Sequence, residues 1–173
     1  MTMTDATISA WLKIDTYPSS GYMLAFADQV SKIAFGFYNG NSAIISCGDS
    51  TNNSSVIVDL KSKWDLSKWH LVTITKKGSD YKFYFDGKLW TNLGSSNYWT
   101  MTATNMLCIG CRNNGSYADF YKGLMSDFRI YATALNETDV KILYDSSLSF
   151  LENAVFQAYC IEDASVHNIK MTE

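Results

Sequence analysis

The sequence predicts an all-β protein, a sandwich or barrel of short antiparallel strands with one short helix. Three observations carry this prediction: apolar residues recur at every second position, clusters of Ser, Asn and Gly separate the alternating segments, and proline occurs once, at Pro18. Alternation with a period of two is typical of strands that bury one face. Short strands at regular spacing, punctuated by turn residues, are typical of sandwiches and barrels.

The alternating segments follow one another through most of the chain. In the first of them, Ile8, Ala10 and Leu12 share one face. Asp86-Gly87 is a strong signal for a tight hairpin turn between two neighbouring strands. The predicted strands cover residues 7–14, 22–27, 32–38, 55–60, 69–76, 81–85, 88–90, 106–110 and 123–131.

One helix is predicted over residues 136–144. Asn136 is a favourable N-cap, and Asp139 is placed to complete a capping box. Val140 and Leu143 begin a short apolar stripe, which indicates about two helical turns lying against the sandwich.

The length of 173 residues corresponds to roughly one domain, since domains average about 150 residues. We expect that domain to occupy residues 1–150. Residues 151–173 are expected to hold one further strand, at 154–161, and an exit segment that packs on or leads away from the same domain.

Composition and charge exclude several classes of protein. An apolar fraction of 47% argues against disorder, and a formal charge of −3 provides no basic field for nucleic acid. No stretch reaches the roughly 18 consecutive apolar residues of a membrane span. The first residues lack the positive region and apolar core of a signal peptide.

Several motifs, taken in order, resemble those of laminin-G-like, concanavalin A-like lectin/glucanase jelly-roll domains, in particular the bacterial and phage branch. Trp69-His70 opens a strand, and Asp86-Gly87 closes the next one. The matching segments are ISAWLK at 8–13, WHLVTI at 69–74, YKFYFDGK at 81–88, LCIG at 107–110, FYKGLMSDFRIY at 120–131 and the predicted helix.

This resemblance covers residues 7–145 and implies a two-sheet antiparallel jelly-roll sandwich. It also implies binding of glycans or proteins through loops at one rim or through the concave face, often with calcium. Because a fold alone does not define a function, the candidate residues need separate arguments.

Catalysis by a carboxylate pair is not expected. Glycosidases need two carboxyl groups that flank the scissile bond. The chain has four Glu residues, none of them inside a predicted core strand. Asp119 and Asp127 form the alternative pair, but Asp127 is expected to point outward from its strand, so we predict a protein that is not an enzyme.

Two further groups of residues invite a chemical interpretation that their surroundings do not support. Cys108 and Cys111 have the spacing of a metal or redox motif, but residues three apart in a strand face opposite sides. We expect a buried thiol and a strand-end thiol. The four cysteines permit three disulfide pairings, among which the sequence does not choose. His70 is expected to be a packed, structural histidine.

Calcium is the one metal that the sequence leaves open, and no cofactor is required. A rim site would use oxygen ligands, for which Asp28, Asn113, Asn114 and Asp119 are the candidates. The alternative is that these residues are ordinary turn formers.

The expected binding surface is a rim formed by loops 94–100 and 112–119, with Asp28 as an outlying contributor. Sugar rings stack on aromatic planes, while amides and carboxylates bond their hydroxyls. The alternative for Trp99 is that it folds back as a lid on the core. The candidate glycan contacts are Asn97, Tyr98, Trp99, Asn113, Asn114, Tyr117 and Asp119.

These observations predict a non-catalytic recognition module. Its expected partner is a host or cell-surface glycan or polysaccharide, and its expected location is extracellular, on a bacterial surface or a phage virion. The alternative is a structural virion or surface module that assembles with other protein subunits.

Overall fold

The computed structural model describes residues 4–28, 33–40, 42–47, 55–60, 62–95, 107–113, 115–153 and 158–159. Within these residues the chain is mostly antiparallel strand with one helix, which confirms the predicted fold class. The elements are β1 (Ala6–Ile14), β2 (Tyr22–Asp28), β3 (Ile33–Tyr38), β4 (Ser42–Cys47), β5 (Ser55–Val58), β6 (His70–Lys77), β7 (Asp80–Phe85), β8 (Lys88–Ser95), β9 (Leu107–Ile109), β10 (Arg112–Asn113), β11 (Tyr117–Ala118), β12 (Gly123–Tyr131), α1 (Glu137–Asn153) and β13 (Ala158–Tyr159).

The strands form two main sheets and a small ribbon. The larger sheet has the order β13-β12-β1-β6-β7-β8, and the smaller one has the order β5-β4-β3-β2-β9. Strands β10 and β11 pair with each other alone. Because β1 pairs with both β12 and β6, distant parts of the chain meet at the centre of the larger sheet.

The hydrophobic core lies between the inner faces of the two sheets. Phe35 of β3 stacks on Phe83 of β7 with ring centroids 5.6 Å apart, so the sheets are in direct aromatic contact. The core includes Ile8, Ala10, Leu12, Ile14, Met23, Phe26, Ile33, Phe35, Phe37, Ile45, Trp64, Val72, Ile74, Phe83, Phe85 and Met125.

Helix α1 covers the outer face of the larger sheet. Trp11 and Leu71 point to that side and pack against Leu143 of the helix in a second apolar layer. The capping box is confirmed: the amide of Asp139 donates to Asn136 Oδ1 at 3.0 Å, and the amide of Asn136 donates to Asp139 Oδ2 at 3.1 Å.

The predicted end of the helix at residue 144 is wrong, since α1 continues to Asn153. Local propensity favoured a stop, because Ser residues compete for backbone hydrogen bonds and are weak helix formers. The continuation is stabilised by a tertiary contact, in which Trp11 Nε1 donates to Ser147 Oγ at 2.9 Å. Strand β13 falls inside the strand expected at 154–161, and the remainder of that segment lies outside the described residues.

Some short strands were not predicted from the sequence. Strand β4 was not predicted, because the adjacent apolar residues Ile44 and Ile45 interrupt the alternation in residues 42–47. The β10–β11 ribbon lies in a segment expected to be loop, and β8 runs five residues beyond its predicted end at Trp90.

The search for membrane-spanning segments in the described chain finds no helix that combines sufficient length with sufficient apolarity. The expected division of the chain at residue 150 stays a prediction.

Candidate functional site

Two tyrosines lie side by side on the outer face of the smaller sheet. Tyr22 of β2 pairs in register with Tyr38 of β3, and the next pair, Met23 with Phe37, points into the core. Successive side chains alternate between the faces, so both tyrosines face outward. Their ring centroids are 4.6 Å apart, and Tyr22 is 42% exposed. We call this pair the tyrosine face.

Two hydrogen bonds join the turn after Tyr38 to the loop that precedes Tyr22. Asn39 has a φ of +45°, a conformation that Asn adopts more readily than most residues. Its side-chain oxygen accepts a hydrogen bond from the Gly21 amide at 3.0 Å, and its own amide donates to the Gly21 carbonyl at 3.0 Å. This reciprocal pair fixes the polar border of the tyrosine face.

The β10–β11 ribbon docks on the edge of β2 at a bulge. The pairing of β2 with β3 shifts register between Leu24 and Phe26, which leaves Ala25 as the extra residue. The Ala25 carbonyl accepts a hydrogen bond from the Gly110 amide at 2.7 Å, and the Leu24 amide donates to the Asp119 carbonyl at 2.9 Å. The base of the ribbon is therefore held two residues from Tyr22.

The ribbon presents one ion pair and one exposed ring. Arg112 Nη2 lies 2.9 Å from Asp119 Oδ2, and both side chains are only partly exposed. Tyr117 is 48% exposed, and Asn113 Oδ1 accepts the Gly115 amide at 3.1 Å across the turn. A guanidinium held in this way can donate hydrogen bonds to the hydroxyl oxygens of a ligand, and a carboxylate can accept hydrogen bonds from ligand hydroxyls.

The structure brings together some of the predicted site residues. Asn113, Tyr117 and Asp119 share the ribbon, whereas Asn97, Tyr98, Trp99 and Asn114 lie outside the described residues. Ser95 pairs with Asp80 at the start of β7, and Leu107 pairs with Asp28 at the end of β2, so Ser95 and Leu107 lie at the same end of the sandwich. The ribbon follows Ile109, at the opposite end of β9.

The candidate calcium ligands are not all adjacent. The Leu24 amide of β2 is the group that contacts Asp119, and Asp28 lies four residues beyond Leu24 on the same strand. At roughly 3.3 Å per residue, the backbone of Asp28 is therefore about 13 Å from that contact. The Asp119 carboxylate is engaged by Arg112. Within the described ranges, no cluster of three or more His, Cys, Asp or Glu side chains could hold a metal ion.

The candidate pair of catalytic carboxylates is engaged in ion pairs. Asp127 lies in the β12 bulge with a φ of +50°, and its Oδ1 accepts a hydrogen bond from Arg129 Nε at 2.6 Å. Asp119 is paired with Arg112. Each of the two carboxylates is thus paired with its own arginine.

His70 is packed, as expected from the sequence. Its Nδ1 lies 2.8 Å from Asp86 Oδ2, its Nε2 accepts the Asp65 amide at 3.0 Å, and its ring stacks on Phe85. Both ring nitrogens are used within the fold, since Nδ1 faces the Asp86 carboxylate and Nε2 faces the Asp65 backbone. Cys108 is buried in β9 and Cys111 follows the strand half-buried, also in agreement with expectation.

Sequence reasoning missed Tyr22, Tyr38 and Arg112. Both tyrosines lie in predicted strands, and alternation with Met23 and Phe37 would have placed each of them on the outer face. Their adjacency depends on the β2–β3 register, which one segment alone does not reveal. Arg112 gains its role from pairing with Asp119 across the ribbon.

The fold of the chain is similar to that of several solved structures. A native heptameric SAP-like pentraxin from Limulus polyphemus is 13% identical with a TM-score of 0.63, covering 83% of this chain and 70% of that one. A structure on cell entry of botulinum neurotoxin type C, dependent on interaction with two ganglioside molecules, is 22% identical with a TM-score of 0.56. The binding domain of botulinum neurotoxin DC in complex with rat synaptotagmin II is 18% identical with a TM-score of 0.56.

The two neurotoxin matches cover 82% of this chain, which spans only 36% and 35% of the respective toxin chains. Identities at this level show the fold alone. A comparison with curated proteins finds no match.

A family model matches most of the chain. The laminin G-like model of the concanavalin A-like lectin/glucanases superfamily aligns with residues 1–141. Of the strands that the structure describes, this match spans all except β13, and it also covers the beginning of α1. The order of the strand motifs, the two-sheet sandwich and the family match agree, and the chain belongs to the concanavalin A-like lectin/glucanases superfamily.

Proposed function

We propose that this lectin-like domain is a non-catalytic module that binds a carbohydrate through the tyrosine face and the neighbouring β10–β11 ribbon. The observation that carries the proposal is the in-register pair of Tyr22 and Tyr38, which places two rings 4.6 Å apart on the outer face of the smaller sheet, with Tyr22 42% exposed. Aromatic rings with a polar border are typical of surfaces that bind ligands.

The polar groups around the tyrosine face suit hydroxyl recognition. The guanidinium of Arg112 donates, and the carboxylate of Asp119 accepts. Because the ribbon is anchored at Leu24 and Ala25, these groups are preorganised, which lowers the entropic cost of binding. Tyr117 adds a further exposed ring.

The relatives support a binding role and leave its target open. One neurotoxin structure concerns gangliosides, which are glycans on lipid, and another holds a protein partner. The low charge and the resemblance to the bacterial and phage branch favour display on a bacterial surface or virion, outside the cell. Calcium is proposed only as an optional addition at the rim.

The proposal is tested by a glycan-array screen with and without calcium, followed by titration of any glycan that is retained. Tyr22→Ala should weaken binding by about 0.5–2 kcal/mol with little change in melting temperature, since the ring is exposed. Trp90→Ala is the control, because Trp90 is an exposed ring on β8 of the other sheet. Equal losses from both variants, or retention of no glycan, would contradict the proposal.

Protein–protein assembly is the second candidate, favoured by exposed apolar side chains beside the ribbon. Ile109 on the edge strand β9 is 49% exposed, and Phe120 is also exposed. Exposed apolar surface next to a sheet edge is typical of assembly contacts. Light scattering decides this alternative: oligomers that dissociate in Ile109→Asp would favour it, and a monomer at all concentrations would exclude self-assembly.

A further inference from the structure

The ring of His70, at the start of β6, packs between the β7–β8 turn and the loop that precedes β6. Its Nδ1 lies 2.8 Å from Asp86 Oδ2, and the other oxygen of that carboxylate accepts the Leu71 amide at 2.9 Å. The ring stacks on Phe85 with centroids 4.9 Å apart, and its centroid lies 4.8 Å from that of Trp64. His70 is only 6% exposed, so the fold fixes the position of its imidazole.

The second nitrogen of this ring faces a donor and an acceptor of the same residue. His70 Nε2 lies 3.0 Å from the Asp65 amide nitrogen and 3.2 Å from the Asp65 carbonyl oxygen. A neutral imidazole nitrogen without a proton can accept a hydrogen bond from the amide, whereas a protonated one can donate to the carbonyl. Asp65 therefore offers a partner to His70 Nε2 in either protonation state.

Asp65 opens a turn that several short hydrogen bonds stabilise. Its carbonyl accepts the Lys68 amide at 3.0 Å, and its Oδ1 accepts the Ser67 hydroxyl at 2.6 Å and the Ser67 amide at 2.9 Å. The two bonds from Ser67 lower the pKa of Asp65, the hydroxyl having the larger effect. Leu66, within this turn, is 38% exposed. We call residues 65–68 the Asp65 turn.

We propose that His70 is a proton-operated switch that changes the conformation of the Asp65 turn. An ionised carboxylate only accepts hydrogen bonds, so the neutral ring donates to Asp86 from Nδ1 and accepts the Asp65 amide at Nε2. A proton taken up from water makes Nε2 a donor, and its partner becomes the Asp65 carbonyl. The Asp65 amide then loses its acceptor, and the turn adjusts together with the exposed Leu66. Histidine takes up this proton between about pH 8 and pH 5.

The groups around His70 are compatible with a buried cation. A buried charge is tolerated when it is paired and hydrogen-bonded, and Asp86 provides the pair on the side of the β7–β8 turn. On the side of the loop, the Asp65 carboxylate is paired with Lys68 at 3.4 Å, and the side chain of that lysine is exposed to screening by water. On β1, the residue in register with His70 is the apolar Leu12.

This switch goes beyond the proposed function and does not depend on it. It involves neither the tyrosine face nor the ribbon, and it can be measured without any ligand. Failure to find a glycan therefore leaves the switch untouched, and failure of the switch leaves the proposed binding function untouched.

The test is an NMR titration of the full chain from about pH 8 to about pH 5. ¹H–¹⁵N spectra distinguish a ring nitrogen that carries a proton from one that does not. The chain has two histidines, and the signals of His70 are those lost in His70→Gln. Nδ1 should carry a proton throughout, Nε2 should gain one, and the Asp65 amide signal should shift with the same midpoint. A ring that does not titrate in this range, or an Asp65 amide that does not follow it, would overturn the proposal.

Asp86→Asn should lock the switch. Asn tolerates the φ of +49° at this position, and Asn-Gly favours a tight hairpin turn, so the variant is expected to fold. Because the Leu71 amide requires the acceptor oxygen, the amide NH₂ of the new side chain faces His70 Nδ1. The neutral ring must then carry its proton on Nε2 and donate to the Asp65 carbonyl.

The Asp65 amide signal of Asp86→Asn at about pH 8 should therefore resemble that of wild type at about pH 5, and it should no longer change between the two. Asp80→Asn is the matched control, since Asp80 is exposed at the start of β7 and should leave the wild-type midpoint unchanged. A pH-dependent Asp65 signal that persists in Asp86→Asn would overturn the proposal. An equal change in Asp80→Asn would also overturn it, because the effect would then follow net charge and not the contact with His70.

Discussion

Trp11 in β1 and Ser147 in α1 are joined by a hydrogen bond of 2.9 Å from the indole Nε1 to the serine hydroxyl. The same hydroxyl donates to the Leu143 carbonyl at 2.5 Å, one turn earlier in the helix. Trp11 is fully buried and stacks on Tyr144 with ring centroids 5.4 Å apart. The second half of α1 is therefore attached to the larger sheet by a hydrogen bond between two buried side chains, inside an apolar layer.

Ser147→Ala should destabilise the protein by about 1–3 kcal/mol, because the buried Trp11 N–H loses its acceptor. Ser146→Ala is the matched control, since Ser146 is exposed and alanine is the better helix former. Chemical denaturation measures both changes. Equal effects of the two substitutions would mean that the Trp11 contact does not stabilise the helix.

Trp99→Ala compared with Trp11→Ala tests the rim expected from the sequence, because Trp99 lies outside the described residues. Trp11→Ala should cost about 3–5 kcal/mol of stability, since it empties a fully buried site. If Trp99 binds glycan, Trp99→Ala should weaken retention by about 0.5–2 kcal/mol and leave the melting temperature nearly unchanged. A similar fall in melting temperature for both would identify Trp99 as a lid on the core.

Gly123→Ala should destabilise the protein by roughly 2–5 kcal/mol, from strain and overpacking together. Gly123 has a φ of +149°, and an added Cβ would lie 2.2 Å from the Lys13 carbonyl oxygen, where β12 pairs with β1. Gly78→Ala is the control: its φ is +57°, and nothing lies within 4 Å of the added carbon. That variant should cost only about 1–2 kcal/mol, for the backbone conformation. If thermal melts show Gly78→Ala to be more destabilising than Gly123→Ala, the close approach of β12 to β1 at Gly123 is contradicted.

Alkaline pH should destabilise the protein partly through Tyr84. Burial raises the pKa of Tyr84 above 10.0, with the Thr75 hydrogen bond opposing and Glu137 adding to the rise. Below pH 10 the folded and unfolded states both keep the proton. Above that pH the unfolded state releases it first, so stability falls as pH rises through the folded pKa.

Tyr84→Phe should therefore flatten the loss of stability above pH 10, by at most about 1.4 kcal/mol per pH unit. Urea denaturation at a series of alkaline pH values measures the slope, and Tyr22→Phe serves as an exposed control. A slope in Tyr84→Phe equal to that of wild type would rule out this contribution.

The sequence by itself determined the features that depend on neighbouring residues. The Asp86-Gly87 turn has φ values of +49° and +73°, as a tight hairpin requires, and Asn136 caps the helix together with Asp139. Alternation located most strands to within a residue or two, because one buried face imposes a period of two wherever the strand pairs.

Only the tertiary structure decided the features that depend on distant segments. The helix runs past residue 144 because Trp11, more than a hundred residues earlier, supports Ser147. Tyr22 meets Tyr38 through the β2–β3 register, and the ribbon docks where Ala25 bulges out of that pairing. Turns and caps are stabilised by contacts between residues a few positions apart in the chain. Strand register and the docking of the ribbon depend instead on the free energy of packing the whole sandwich, and no single position determines that free energy.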